Sequence, residues 1–367
     1  MLNIFGRGAR LGSRATAVAF TALILASCGG SDDNNKVTVT SMAVFGDSLS
    51  DLGTYAVPAV TAVGGGRFTT NTPGAKFWSE HVSDYYGVSI SRNRTGGFGS
   101  QISVLGGTSY AEGGARVTLQ PGIGCTPDGA GGCTLAGALT RPVTQQVQAH
   151  LAASGGRIPQ GQLVMFFAGA NDIFVQAGAV SAAIAAAAQQ PGATPQSIAA
   201  AQAAAVQLAQ QALGVAATTL AQTIRSVVSA GGTLVAVITV PDIGLTPSGL
   251  ASASTQQLLS GLTATFNGAL AQGLAGAANV TTIPSNDFFT EAIANPARYG
   301  FVNVTQPACN IAALPNNSSL FCSGATLVAP NAQANYLFAD AVHPTVGTHQ
   351  QFGSYVINRL RATIGGR

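Results

Sequence analysis

Residues 37–50 read VTVTSMAVFGDSLS, and the fold turns on how this stretch is parsed. Positions 37–45 are apolar and β-branched, and the run stops at Gly46, as expected of a short strand buried on both faces of a parallel sheet. Ser48 then falls just beyond the carboxyl end of that strand, where an open α/β sheet places reactive groups. Comparable runs occur at 163–167, 234–240 and 280–283, each bounded by turn residues. Helical stretches lie between and after them, at 76–86, 142–153, 180–230, 255–277 and 346–364. Strands alternating with helices predict an α/β domain with helices on both faces of the sheet.

Composition agrees with a folded, neutral domain. Of 367 residues, 47% are apolar and only 8% charged, well below the roughly 25% usual in soluble proteins. The formal charge of +3 comes from 16 basic against 13 acidic residues; setting aside Arg7, Arg10 and Arg14 leaves 13 against 13. Nucleic-acid binding needs clustered Lys and Arg to neutralise phosphates, and no such cluster exists, so that class is set aside. The 46 glycines forecast many turns. No fixed-period repeat is visible, and nothing past residue 28 reads as a membrane-spanning helix.

Residues 1–27 have the layout of an export signal: the three arginines, an apolar run over 15–26 too short to span a bilayer, and Leu25-Ala26-Ser27 before Cys28. This end resembles the bacterial lipobox, which implies cleavage before Cys28, a diacylglyceryl group on its thiol and attachment to a membrane. Residues 28–39 then form the lipidated cysteine and a flexible tether, and 40–367 the folded domain. Gly29 follows the cysteine where an Asp favours inner-membrane retention, so the outer membrane is the expected destination. The other cysteines, Cys125, Cys133, Cys309 and Cys322, form an even set in an oxidising compartment. Three pairings are open to them; Cys125 with Cys133 and Cys309 with Cys322 are expected, because each pair closes a short Gly- or Asn-rich loop. No Cys-x-x-Cys spacing supports zinc.

Segment 178–223 is dominated by Ala and Gln and is broken between Pro191 and Pro195. Alanine is the best helix former and proline cannot continue a helix, so two helices are predicted, as a peripheral hairpin with a mobile cover over the site as the alternative. Loops 113–141 and 303–335 are long enough to serve a site.

A nucleophilic serine at Ser48 needs a base, and the chain has four histidines. His81 and His150 fall within amphipathic helical stretches and read as packing residues, and His349 lies in the last helix. His343 sits just before that helix, three positions after Asp340, so one turn of chain can bring a carboxylate to its imidazole Nδ1. The run 163–167 leads to Asn171, which delivers an amide to the same sheet edge as Ser48. The turn at 110–115 offers glycine N–H groups that can approach a developing oxyanion. Taken singly, each is a turn or a cap; together, in this chain order, they describe acyl transfer. No Gly-x-Ser-x-Gly elbow occurs, which removes support for an ordinary α/β-hydrolase.

Six blocks carry a family resemblance: FGDSLSD (45–51), YAEGGA (110–115), GAND (169–172), PDIGLTP (241–247), YGFVNV (299–304) and DAVHPT (340–345). With them the chain resembles a GDSL esterase/lipase of the SGNH hydrolase superfamily over essentially all of 40–365. The resemblance implies a three-layer α/β/α fold with a parallel sheet of about five strands. It makes Ser48 nucleophile, His343 general base and acid, and Asp340 its orienting partner. It assigns the oxyanion hole to the N–H groups of Ser48 and Gly114 and the Asn171 amide, with Gly113 the alternative in the glycine doublet. No metal or cofactor is implied. Leu52 and Thr54 depart from the Thr and Asn common after FGDSLSD, and Ser109 from a frequent Asn, at positions that supply no catalytic group. The expected activity is hydrolysis of carboxylic esters, on acyl lipids or short-to-medium acyl esters. Acyl transfer to an alcohol, carbohydrate O-acetyl esterase activity and an inactive lipid- or glycan-binding protein are the alternatives.

Overall fold

The structure is a computed structural model that describes residues 37–364. The export signal, Cys28 and the tether up to Lys36 lie outside the described residues. In chain order the strands are β1 (Ser41–Gly46), β2 (Arg94–Gly97), β3 (Ser100–Val104), β4 (Gln162–Phe167), β5 (Leu234–Ile238), β6 (Val280–Ile283), β7 (Asn303–Pro307) and β8 (Tyr336–Phe338). The helices are α1 (Pro58–Thr61), α2 (Trp78–Tyr86), α3 (Val143–Ala153), α4 (Ala170–Ala188), α5 (Pro195–Ser229), α6 (Ala253–Leu274), α7 (Ser285–Ala294), α8 (Ala332–Asn335) and α9 (Val346–Ile364).

The central sheet is parallel, four-stranded and ordered β1-β4-β5-β6, with Ser41 opposite Gln162 and Leu163 opposite Leu234. Alternate residues of each strand face opposite sides, which divides the core in two. Ala43, Phe45, Val164 and Phe166 join the inner faces of α3, α5 and α6, while Met42, Val44, Met165 and Phe167 pack with α2, α7 and α9. Three layers result, as expected. Four strands stand where about five were expected, and beside β1 a single bridge joins Val44 and Ser109, held by Val44 N–H to Thr108 O at 3.0 Å and Tyr110 N–H to Val44 O at 2.8 Å. Gly106 and Gly107 lead into this segment and the YAEGGA turn leaves it, so too few extended residues remain for a ladder. Antiparallel β2–β3, flanking the turn Phe98–Gly99, and the short pair β7–β8 lie outside the central sheet. Strand β1 starts at Ser41 rather than Val37, and the chain enters beside the start of β4, where Thr40 N–H reaches Gly161 O at 2.9 Å.

The Ala/Gln-rich region is α4 and α5, separated at Pro191 and Pro195 as predicted, with Thr194 capping α5. It is not peripheral throughout. From Ala209 to Val227 one face of α5 is buried in the larger core, with Leu213, Ala217, Leu220 and Ile224 at its centre. Alanine at alternate turns lets α5 lie close to the sheet and to α6, which composition alone does not reveal. At 35 residues, α5 is about 52 Å long, against roughly 17–20 Å for a strand. Because α5 must end where β5 begins, its first half and much of α4 overhang the carboxyl edge of the sheet. No ionisable side chain occurs between Asp172 and Arg225. Helix α4, with 19 residues, is long and apolar enough to cross a membrane by length and composition alone. Alanine, rather than large apolar residues, accounts for this, and Asn171, Asp172, Ile173 and Val180 are buried in the domain.

Both disulfides pair as expected, Cys125 with Cys133 and Cys309 with Cys322. Each staples one of the long loops.

Candidate active site

Strand β1 ends at Gly46, where β4 runs too close for a side chain: a Cβ there would lie 2.0 Å from Phe167 O. The Gln146 side chain grips this residue from α3, accepting Gly46 N–H at 2.9 Å and donating to its carbonyl at 2.8 Å. The turn that follows is tied by Asp47, whose Oδ1 accepts Leu49 N–H at 3.1 Å and whose carbonyl accepts Ser50 N–H at 3.0 Å. Ser48 is held at the sheet edge and is 7% exposed, open enough for a substrate atom.

His343 meets it from a segment almost 300 positions away. Its Nε2 lies 2.9 Å from Ser48 Oγ, and its Nδ1 lies 2.7 Å from Asp340 Oδ2. Asp340 is itself fixed: Oδ1 accepts Val342 N–H at 2.9 Å and His343 N–H at 2.7 Å, and Oδ2 also accepts Ser319 N–H at 2.8 Å. Burial pushes this carboxyl up, but the charge and hydrogen bonds of His343, with the Ser319 bond, outweigh it and hold the group well below the usual carboxylate range. The imidazole is therefore backed by a permanent carboxylate, and the Phe68 ring packs 5.1 Å from it.

Three N–H donors surround the serine. Asp51, in the turn after Ser48, accepts Gly53 and Thr54 N–H on Oδ1 and Gly113 N–H on Oδ2 at 2.8 Å. The N–H groups of Ser48 and Gly114 have no protein acceptor among the described residues. Gly114 has φ +79°, and a Cβ would lie 2.0 Å from Ile123 O. Asn171 stands in the first turn of α4 after Gly169 and donates through Nδ2 to Ala115 O at 2.9 Å, leaving its second amide hydrogen uncommitted. Behind the glycine turn, Glu112 is clamped by Arg94 at 2.8 Å and by Arg141 N–H at 2.9 Å.

Beneath the nucleophile the carboxylates are crowded. Burial raises Asp47 to about 7, partly offset by Leu49 N–H and by His343. Burial likewise raises Asp51 to about 6, against its three backbone bonds. Asp172 is also raised by burial, although Val117 N–H at 2.9 Å and Arg116 at 3.3 Å oppose this.

The remaining histidines stand apart from this cluster. His150 is buried, with Nε2 2.8 Å from Gln162 Oε1, and His349 is buried against Phe77 with ring centres 4.1 Å apart. Burial lowers the pKa of both. Asp51, Gln146 and Ser319 hold the site and were not singled out from sequence. Asp51 lies within the FGDSLSD block and carried the only signal; the other two act across 100 and 21 positions of chain.

An apolar cleft opens from Ser48 and His343 between α4, the 241–246 turn and α7, walled by Leu49, Phe174, Ile243, Phe289 and Ile293. A positioned serine–imidazole–carboxylate chain, uncommitted N–H donors and an adjoining apolar cleft are the parts needed for acyl transfer. Compared with known proteins, residues 42–356 match the family model described as GDSL-like Lipase/Acylhydrolase. No curated protein matches the chain.

Proposed function

The chain belongs to the GDSL-like lipase/acylhydrolase family, whose members are generally esterases, and from that premise we propose that it is a serine hydrolase of carboxylic esters working through an acyl-enzyme on Ser48. The observation that carries the reading is the continuous relay from Ser48 Oγ to His343 Nε2 at 2.9 Å and from Nδ1 to Asp340 at 2.7 Å. In the proposed reaction Ser48 Oγ attacks the acyl carbonyl as its proton passes to His343 Nε2. The same proton goes to the departing alkoxide, and water repeats the sequence to free the acid. Charge developing on the carbonyl oxygen would be met by the N–H groups of Ser48 and Gly114 and the Asn171 amide. Asp51 supports Gly114 over Gly113, since it already occupies the Gly113 donor. The apolar cleft favours an acyl chain of short to medium length. An exported protein anchored through Cys28 to the outer membrane is part of the proposal and rests on the Leu25–Cys28 box.

The test is a chain-length series of chromogenic esters together with fluorophosphonate labelling. Ser48→Ala and His343→Ala should nearly abolish turnover in folded protein, and Ser48→Ala should abolish labelling. Asp340→Asn should also be severe. Wild-type turnover and labelling in folded Ser48→Ala protein would make another residue the nucleophile.

A further inference from the structure

Four residues past the FGDSLSD block stands Tyr55, which is fully buried. A phenol taken out of water needs partners for its hydroxyl, and those it has here bear on the oxyanion hole. Tyr55 Oη donates to Gly113 O at 2.8 Å. The same oxygen accepts Thr140 N–H at 3.2 Å, which leaves the phenol's own proton for the glycine carbonyl. Burial, reinforced by the charges of Glu112 and Asp51, holds the phenol well above its ordinary range, so it remains a donor at working pH.

The carbonyl of Gly113 and the N–H of Gly114 are the two ends of one planar peptide unit, so fixing one end fixes where the other points. The units on either side are anchored as well: Asp51 accepts Gly113 N–H at 2.8 Å, and Gly114 O accepts Ile123 N–H at 3.0 Å. Gly114 stands in the wall of a cavity that Ser48, Asn171 and His343 also line, and its N–H has no protein acceptor among the described residues. Thr140 meets Tyr55 from a buried backbone at φ +48°, a left-handed conformation that is a genuine outlier for a β-branched residue and persists only where its surroundings hold it. The Phe68 ring packs edge-on to Tyr55 with centres 6.0 Å apart and lies 5.1 Å from the His343 ring. A Cβ on Gly113 would fall 2.0 Å from that same Phe68 ring. Tyrosine, phenylalanine and glycine turn thus form one packed unit beside the base.

Resting on the acyl-enzyme reading above, we propose that Tyr55 is a positioning residue of the oxyanion hole, acting through the Gly113–Gly114 peptide unit. Its hydroxyl holds that unit so that Gly114 N–H meets the charge developing on the acyl oxygen. The bonds run in one sense, from Thr140 N–H to Tyr55 Oη, to Gly113 O and through the peptide to Gly114 N–H. Each polarises the next, which makes the last donor stronger. The benefit falls on the state in which Ser48 Oγ has added to the carbonyl carbon and the oxygen carries charge. Tyr55 lines neither of the cavities that meet Ser48, so it acts on kcat rather than on the binding of any one ester.

The experiment uses the full chain, with para-nitrophenyl octanoate as substrate and an octyl trifluoromethyl ketone as inhibitor. Ser48 Oγ adds to the ketone carbon as its proton passes to His343, and the resulting oxyanion mimics the transition state. Tyr55→Phe removes the hydroxyl and keeps the ring. It should lower kcat about tenfold with KM changed less than about twofold, and raise the ketone's Ki by the factor that kcat/KM loses. Tyr355→Phe is the control, since it removes a hydroxyl that donates to Pro284 O at 2.8 Å on the face of the sheet packed by α9. It should lower the melting temperature and leave kcat and Ki unchanged. Replacing Tyr55 by a ring-fluorinated tyrosine preserves the shape and strengthens the donor, so kcat should not fall and Ki should not rise. Wild-type kcat and Ki in folded Tyr55→Phe protein, an equal loss in Tyr355→Phe, or a raised Ki in the fluorotyrosine protein overturns the proposal. Failure of the parent reading would look different: wild-type protein would show no fluorophosphonate labelling at Ser48 and no inhibition by the ketone.

Discussion

The carboxylate of Asp51 accepts the N–H of Gly113 at 2.8 Å, whereas the next N–H, that of Gly114 in the lining of the serine's cavity, has no protein acceptor among the described residues. In the proposed mechanism Asp51 thereby sets the register of a glycine doublet that is ambiguous in sequence. Asp51→Asn, which puts an amide where an acceptor is needed, should lower kcat about tenfold or more with little change in KM, since a misaimed oxyanion donor affects mainly the transition state. Gly114→Ala should do worse, because its Cβ has no space beside Ile123 O and its φ is left-handed. Steady-state kinetics with circular dichroism as a fold control decides; an unchanged kcat in Asp51→Asn would remove the assignment.

Asn171 serves two acceptors in this scheme, Ala115 O in the resting protein and the oxyanion during reaction. Asn171→Ala should cost roughly 10²–10³ in kcat, the usual effect of one lost donor. Asn171→Asp should be no better, since it supplies no amide hydrogen. Recovery of activity in the Asp variant would point to a positioning role instead.

The Cys309–Cys322 loop contains Ser319, whose N–H helps fix Asp340. Replacing both cysteines with alanine should lower stability by about 2–3 kcal/mol by loop entropy and also reduce kcat. The Cys125/Cys133 pair closes a loop that gives Asp340 no hydrogen bond, so its removal should cost stability with a smaller effect on kcat. Chemical denaturation and kinetics on the two double variants separate these outcomes.

Asp47 and Asp51 have folded-state pKa values near 7 and 6, above the ordinary 3.8. A raised carboxyl pKa means the folded state holds the proton more tightly. The associated stability is present below the unfolded pKa and is lost as pH rises through the folded values. Melting temperature should therefore fall between about pH 4 and about pH 7, and Asp47→Asn should flatten that fall. Asp340 works in the opposite sense: its depressed pKa contributes stability that disappears as the solution is acidified below the ordinary carboxyl range. A melting temperature that rises from about pH 4 to about pH 7 in the wild type, unaltered by Asp47→Asn, would refute the assignment for Asp47.

Much of this was legible in the chain because the chemistry is local. Ser48 follows its strand directly, Asp340 and His343 are three positions apart, and Asn171 follows β4 at once. What was hidden acts across long separations. Gln146 grips Gly46 from another helix, Ser319 braces Asp340, and the burial of α5 depends on alanines that read equally well as surface. About five strands were expected and four form the central sheet; beside them the glycine-rich segment at Ser109 makes only a single bridge to Val44. The β2–β3 hairpin escaped notice because Gly96, Gly97 and Gly99 interrupt any alternation of apolar and polar residues.

Strand β1 runs from the point where the chain enters the domain toward Ser48, so entry and nucleophile lie at opposite edges of the sheet, about 20 Å apart along the strand. A tag or label joined to that end of β1 therefore sits a strand's length from the reacting atoms and leaves the cavities at Ser48 unobstructed.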